Sequence, residues 1–182
     1  MRDDAPGDTL TWLERIVVGL NLCPFARPVL DADRLDIISS DAANEQDCLT
    51  DVAIAATQLL NTPRDASETA LLVFTDALSG FDDFLRFTDI AQLWLADAQL
   101  DGVLQLALFH PDFRIEGAAP DAREQVIHRS PWPTIHLLRQ ISVTEAVASH
   151  PDTQAIPDQN QRRLLQIGAA RWQTLFGSAA ED

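Results

Sequence analysis

The sequence contains no lysine and no tyrosine, and only two of its 182 residues are cysteine, Cys23 and Cys48. All 13 basic residues are arginine, and they face 28 acidic residues, which gives a formal net charge of −15. Two cysteines are too few for a disulfide framework, so we expect reduced thiols and a cytoplasmic protein. A field of this sign repels polyanions and argues against binding to nucleic acid or to an anionic membrane.

Long apolar runs and glycine-rich motifs are missing as well. No run approaches the roughly 18 to 20 apolar residues that span a membrane, and the charged start of the chain is unlike a signal peptide. The seven glycines form no Walker A, GxGxxG or GxSxG motif, which argues against a glycine-rich phosphate loop. With 46% hydrophobic residues, we expect one packed domain over residues 1–182, with flexible ends at residues 1–8 and 177–182.

The spacing of apolar residues predicts an alternation of strands and helices. Strands are predicted at residues 35–38, 69–74 and 103–109, and helices at residues 9–20, 44–60 and 82–98. Short connections between such elements favour an α/β fold with a mostly parallel sheet of three or slightly more strands. In this βαβαβ arrangement helices flank the sheet, and extra helices follow at the C-terminal end. The alternative is an α+β sandwich with a mixed sheet.

Three more helices are predicted in the last third of the chain. Pro131 and Pro133 can both occupy a first helical turn, which predicts a short helix from about Ser130. Ser142 and Glu145 form the S-x-x-E pattern of a capping box, and this predicts a second short helix. The apolar spacing over residues 158–176 predicts a final, longer helix.

Histidine and arginine gather in residues 110–140, which are neutral overall and contain three of the four histidines. His110 follows a predicted strand, where ligands of parallel sheets bind; alternatively, it bonds to the loop backbone. If residues 131–139 are helical, His136 and Arg139 share a face and could hold a carboxylate or phosphate. The first-turn N–H groups after Ser130 would add donors. The alternative is a packed helix whose Arg139 pairs with an acid such as Glu145.

Residues 21–27 form a second candidate segment in a stretch that has little negative charge. Cys23 is a possible nucleophile or redox thiol, particularly if Arg27 lowers its pKa. A single cysteine is also commonly a small buried hydrophobic residue. Cys48 belongs to the predicted helix at residues 44–60 and is expected to be structural.

Three hypotheses about function follow. The first is a small-molecule enzyme or anion-binding protein with an anionic ligand. Its candidate catalytic residues are His110, His136 and Cys23, and its candidate substrate-binding residues are Asn21, Arg27, Arg129, Ser130 and Arg139. The second is a noncatalytic partner-binding domain that uses the segment around Trp132. The third and weakest is a metal-dependent enzyme with His110, His136 and Asp112, which no HxH or HExxH spacing supports.

Three motifs in order resemble a bacterial family of unknown function, the domain of unknown function numbered fourteen-fifteen. They are VGLNLCPFA at residues 18–26, FHP at 109–111, and RSPWP at 129–133 followed by HLLR at 136–139. The resemblance covers nearly the whole chain but implies no activity, cofactor or oligomeric state. Two positions depart from the family pattern, with His128 in place of asparagine and Gln140 in place of glutamate. The second departure puts a general acid or base at that position in doubt.

Overall fold

The computed structural model describes residues 4–119 and 122–176. The helices in this part of the chain are α1 (Ala5–Trp12), α2 (Ala26–Asp31), α3 (Glu45–Asn61), α4 (Phe81–Asp97), α5 (Gln140–Ser149), α6 (Ile156–Leu165) and α7 (Ala169–Phe176). A π-helical segment, Leu13–Val18, continues α1, and Arg123–Ile127 forms a 3₁₀ helix. The strands are β1 (Leu35–Ser40), β2 (Thr69–Phe74), β3 (Leu104–Phe109) and β4 (Thr134–Arg139). Residues 177–182, predicted to be flexible, lie outside the described residues, as do residues 1–3; helix α1 already begins at Ala5.

The four strands form a mixed sheet in the order β1-β2-β4-β3. Strands β1 and β2 are parallel, with Ile37 opposite Leu71. Strand β4 runs antiparallel to both of its neighbours, so that His136 lies between Leu71 of β2 and Ala107 of β3. The predicted mostly parallel βαβαβ sheet is therefore wrong, and the mixed α+β alternative agrees better with the structure.

The segment that overturns the parallel sheet is β4, for which a helix was predicted. Proline biases the residue before it towards extended backbone, which favours strand geometry at Trp132. Thr134 and Ile135 are β-branched, and Ile135 is fully buried within the sheet. Side chains of a strand alternate between faces, so His136 and Arg139, three residues apart, lie on opposite faces of the sheet. The predicted shared face of these two residues is therefore wrong.

Helices α3 and α4 cover one face of the sheet and form the larger core. The predicted helical stripes pack here, with Val52, Ala56, Phe84 and Phe87 fully buried. Cys48 is also fully buried in α3, as predicted for a structural cysteine. Asn44 caps α3 by accepting a hydrogen bond from the Asp47 backbone N–H at 3.0 Å.

A second core lies on the opposite face, beneath α1, the π-helical segment, α6 and α7. Its buried members include Trp12, Ile16, Leu71 and Leu164. The helix predicted at residues 9–20 therefore exists, but it begins four residues earlier and its second half is π-helical. Within the described residues, none of the helices combines the length and apolarity needed to span a membrane.

The C-terminal helices differ from their predictions in two ways. Helix α5 begins at Gln140, and Glu145 binds Arg64 at 2.8 Å, so residues 142–145 are not a capping box. The helix predicted at residues 158–176 is interrupted at residues 166–168, which separate α6 from α7.

Candidate functional site

A groove of about 1000 Å³ lies beside the residues that follow β3 and precede β4. Helix α1 and the π-helical segment contribute Asp8, Thr11, Trp12, Arg15 and Ile16 to its lining. The connection between the strands contributes Pro111, Asp112, Arg114, Ile115, Ala118, Gln125, Val126, Arg129, Ser130 and Pro131, and α7 contributes Leu175 and Phe176. The groove therefore joins three parts of the chain that are distant in sequence.

Trp12 connects the groove to the core behind it. Only 8% of Trp12 is exposed, and its ring packs edge-on against Phe109 at 5.1 Å between centroids. Its indole N–H is buried and has no acceptor in the described part of the chain. Because an unpaired buried donor costs about 1–3 kcal/mol, this wall contains a polar group that the fold does not satisfy.

Arg15 is the uncommitted cation of the groove. It is exposed on the π-helical segment and forms no ion pair or hydrogen bond through its guanidinium group with any described residue. Single π-helical turns are rare and frequently occur at functional sites.

Two further arginines of the groove are held in place by the protein. Arg114 binds Asp82 at 2.6 Å and lies over the ring of Phe81 at 5.2 Å. Arg129 donates from Nε to the carbonyl oxygen of Phe113 at 3.1 Å. With Arg15, three guanidinium groups face two carboxylates among the described lining residues, and Asp82 balances the charge of Arg114, so the groove is close to neutral in a chain of net charge −15.

His110 is fully buried and lies between the rings of Phe81 and Phe84, at 5.3 and 5.2 Å. Its Nδ1 accepts the backbone N–H of Asp112 at 3.0 Å, so the proton is on Nε2, which donates to Leu78 O at 3.1 Å. Burial lowers the pKa of His110. Both ring nitrogens are thus engaged with the backbone, as in the alternative interpretation of this residue.

His136 lies in the middle of the sheet, on the side of the second core. The hydroxyl of Thr69 donates to Leu137 O at 2.6 Å, so it accepts the Nε2 proton of His136 at 2.7 Å. Burial lowers the pKa of His136 to about 4. The imidazole is therefore neutral at pH 7.

Arg139 is buried on the other face and binds the end of α3. Its Nη2 donates to three backbone carbonyl oxygens, those of Leu59, Thr62 and Ser67. Positive charge at a helix C-terminus is favourable because the last carbonyls carry the negative end of the helix dipole. This geometry makes Arg139 an anchor for helix α3.

The loop of residues 21–27 contacts α6 and does not line the groove. The carbonyl oxygen of Asn21 accepts from Arg163 at 2.8 Å, and Arg27 donates to Val18 O at 3.2 Å. Cys23 is partly buried, and this burial raises the pKa of its thiol. The thiol is consequently protonated at neutral pH.

Only Arg129 and Ser130 of the predicted site residues line the groove. The hydroxyl of Ser130 binds the carbonyl oxygen of Trp132, whose indole N–H donates to Asp8 at 3.3 Å. Sequence reasoning missed Trp12, Arg15 and Arg114. The relevant signals were the scarcity of negative charge near the N-terminus and in residues 110–140, but local charge does not tell which side chains meet in one groove.

The described residues, 4–119 and 122–176, contain no set of side chains that could hold a metal ion. No three side chains of histidine, cysteine, aspartate or glutamate lie close enough together to hold an ion there. The suggested set of His110, His136 and Asp112 does not form, since His110 uses both ring nitrogens for backbone contacts.

The fold and groove define a mixed-sheet α/β protein with one open, arginine-lined groove among its described residues. The chain belongs to the family of proteins of unknown function designated DUF1415, whose sequence profile matches residues 5–174. This match confirms the family resemblance that the three motifs indicated. No curated protein and no solved structure matches the chain significantly.

Proposed function

We propose that this protein binds a small amphipathic anion in the groove. The observation that carries the proposal is the combination of about 1000 Å³ of space, an apolar wall and three guanidinium groups in a strongly acidic protein. Ligand sites are typically concave and mostly apolar, with a few polar groups that fix orientation.

Arg15 supports an anionic ligand because its guanidinium group pairs with none of the described residues. The planar fork of arginine matches a carboxylate, which can accept two parallel hydrogen bonds. Arg129 and Ser130, both predicted to bind substrate, lie in the same groove and complete the polar part of the proposed site. Trp12, Ile16 and Val126 provide the apolar part.

Binding rather than catalysis is the role that these contacts favour. His110 is fully buried and His136 is partly buried; both are hydrogen-bonded within the protein, and neither lines the groove. The protonated thiol of Cys23 lies in a different loop. We assign these three residues, together with Arg139, to support of the fold.

Isothermal titration calorimetry with decanoate and with 1-decanol tests the proposal. The two probes share an apolar chain, so the proposed site should bind decanoate at least about ten-fold more tightly than the alcohol. Arg15→Gln should weaken decanoate binding by about five-fold, the factor for an exposed ion pair worth about 1 kcal/mol. Arg162→Gln is the matched control, since Arg162 is exposed on α6 and does not line the groove.

Equal binding of decanoate and 1-decanol would contradict the anionic part of the proposal. Decanoate binding that is unaffected by Arg15→Gln would contradict the site. Native mass spectrometry of freshly purified protein complements the titration, because a retained ligand of measured mass identifies its chemical class directly.

We also propose a cytoplasmic location and a bacterial source for this function. Both cysteines are unpaired, which suits a reducing compartment, and the motif resemblance supports the source. Immunoblotting of cytoplasmic, membrane and periplasmic fractions of cells that express the protein tests the location.

A further inference from the structure

The interruption between α6 and α7 is stabilised by Arg123. Its Nη1 donates to the carbonyl oxygens of Leu164 and Ile167, both at 2.9 Å. In an uninterrupted α-helix these two oxygens would accept from the backbone N–H groups of residues 168 and 171. Arg123 therefore supplies a donor to two carbonyl oxygens that would have helical partners if the helix over residues 158–176 were continuous.

The same arginine fastens α7 to the molecule. Its guanidinium group lies over the ring of Trp172, 4.3 Å from the ring centroid, and the tilted rings of Trp172 and Phe176 pack with their centroids 4.4 Å apart. No residue of α7 is fully buried. Elements with few buried side chains open at low free-energy cost relative to the core.

Helix α7 also forms one wall of the groove, through Leu175 and Phe176. The apolar spacing of residues 158–176 favours a single helix, whereas the tertiary contacts of Arg123 favour the bent form. In a continuous helix α7 would follow the axis of α6, which would change the position of the side chains beyond residue 168.

We propose that helix α7 is a gate of the groove and that Arg123 is its latch. In the latched form the chain bends at residues 166–168, and Leu175 and Phe176 close one side of the groove. In the open form residues 166–168 become helical and join α6 to α7. The side chains of Leu175 and Phe176 then leave the groove. This inference rests on the proposed function, because the gate controls access to the proposed anion site.

Gly168→Ala is the variant that tests the gate with the least disturbance. A Cβ added at Gly168 would meet no atom within 4 Å, so the bent form tolerates it. Alanine favours a helix interior over glycine enough to shift the equilibrium towards the straight form by about five-fold. Gln173→Ala is the control, since Gln173 is exposed on α7 and lies beyond the bend.

Two measurements on the full chain report the state of the bend without any ligand. Fluorine NMR of protein labelled with 5-fluorotryptophan should show a shifted Trp172 signal in Gly168→Ala and in Arg123→Gln, with assignment by Trp172→Phe. Hydrogen exchange should slow at the amides of residues 168 and 171 in Gly168→Ala, because both would gain helical acceptors. An unchanged Trp172 signal, or faster exchange at those amides, would overturn the gate.

Stopped-flow mixing with decanoate separates the gate from the anion site. The gate predicts that Gly168→Ala raises both the association and the dissociation rate by about the same five-fold factor, with little change in affinity. Decanoate that binds with unchanged rates would overturn the gate and leave the anion site standing. A chain that straightens but binds no decanoate would overturn the proposed function and leave the conformational equilibrium standing.

Discussion

At the scale of single residues, polar side chains of the family motifs form hydrogen bonds inside the fold. His110 joins the loop at Leu78 to that at Asp112, and His136 bonds to the hydroxyl of Thr69. Buried polar groups of this kind stabilise a unique arrangement only while every donor and acceptor is satisfied. A change of protonation state at these positions therefore acts on stability.

Acid should destabilise the protein through His136. The folded-state pKa is about 4, and the unfolded value is about 6.5, so the unfolded chain binds the proton more tightly. The stabilising effect is complete above about pH 6.5 and is lost as the pH falls towards 4, a change of roughly 3 kcal/mol. Burial lowers the pKa of His110 and His128 too, which acts in the same direction.

Urea unfolding at several pH values between 7.5 and 4.5 measures this effect. His136→Gln keeps a donor towards Thr69 but cannot titrate, so its free energy of unfolding should depend less steeply on pH. His150→Gln, outside the sheet, serves as the control. A pH dependence of His136→Gln as steep as that of the wild type would show that another group is responsible.

Both thiols should react slowly in the folded protein. Burial, together with the charges of Asp51 and Asp47, raises the pKa of Cys48 to about 11, and burial raises the pKa of Cys23. Because the thiolate is the reactive form, alkylation by iodoacetamide at pH 7.5 should be at least about ten-fold slower than for free cysteine. Mass spectrometry should find two reactive thiols after unfolding in urea. Rapid modification of Cys23 in the folded state would instead support the prediction that Cys23 is a nucleophile.

At the scale of elements, side chains from other parts of the chain bind the ends of two helices, α3 and α6. Arg139, at the end of β4, holds the last carbonyls of α3, and Arg123 holds those of α6. The final four carbonyls of any helix lack partners within it. An arginine that binds them therefore couples the position of a helix to that of a distant segment.

Arg139→Met should destabilise the protein by about 3 kcal/mol, because it leaves carbonyl oxygens of Leu59, Thr62 and Ser67 without their charged donor. The midpoint of urea unfolding measures the change. Arg162→Met, on the exposed side of α6, should stay within about 0.5 kcal/mol of the wild type. Equal effects of the two variants would mean that the anchor at α3 contributes little.

The elements divide clearly into those that local pattern predicts and those that it does not. Strand β2 has the predicted bounds, residues 69–74, since a continuous apolar run suits a strand covered on both faces. Strand β4 was predicted as a helix because two prolines suit a first helical turn as well as an extended entry. The segment is a strand because it pairs with β2 on one side and β3 on the other. No local sequence pattern indicates such long-range pairing.

At the scale of the whole molecule, the net charge of −15 opposes compaction. Excess charge of one sign repels itself, and salt reduces this repulsion as the Debye length falls from roughly 30 Å at 0.01 M to below 10 Å. The groove, which is close to neutral when Asp82 is counted with Arg114, is a local exception to this negative field.

The melting temperature should therefore rise between 10 mM and 0.5 M sodium chloride. Differential scanning fluorimetry measures the change, and a parallel series in choline chloride controls for binding of a specific cation. A melting temperature that falls with both salts would show that attractive ion pairs, such as Arg34 with Glu68, outweigh the general repulsion.

The sequence alone determined which segments are apolar and periodic, where charge is scarce, and which family the chain belongs to. These properties are local or additive along the chain, so they can be worked out without knowing which distant segments come into contact. Tertiary structure decided the direction of β4, the bend before α7 and the partners of His110, His136 and Arg139. Each of these depends on which distant groups satisfy a backbone or side-chain hydrogen bond. For the same reason, only the folded chain brings Trp12, Arg15 and Arg129 to one groove.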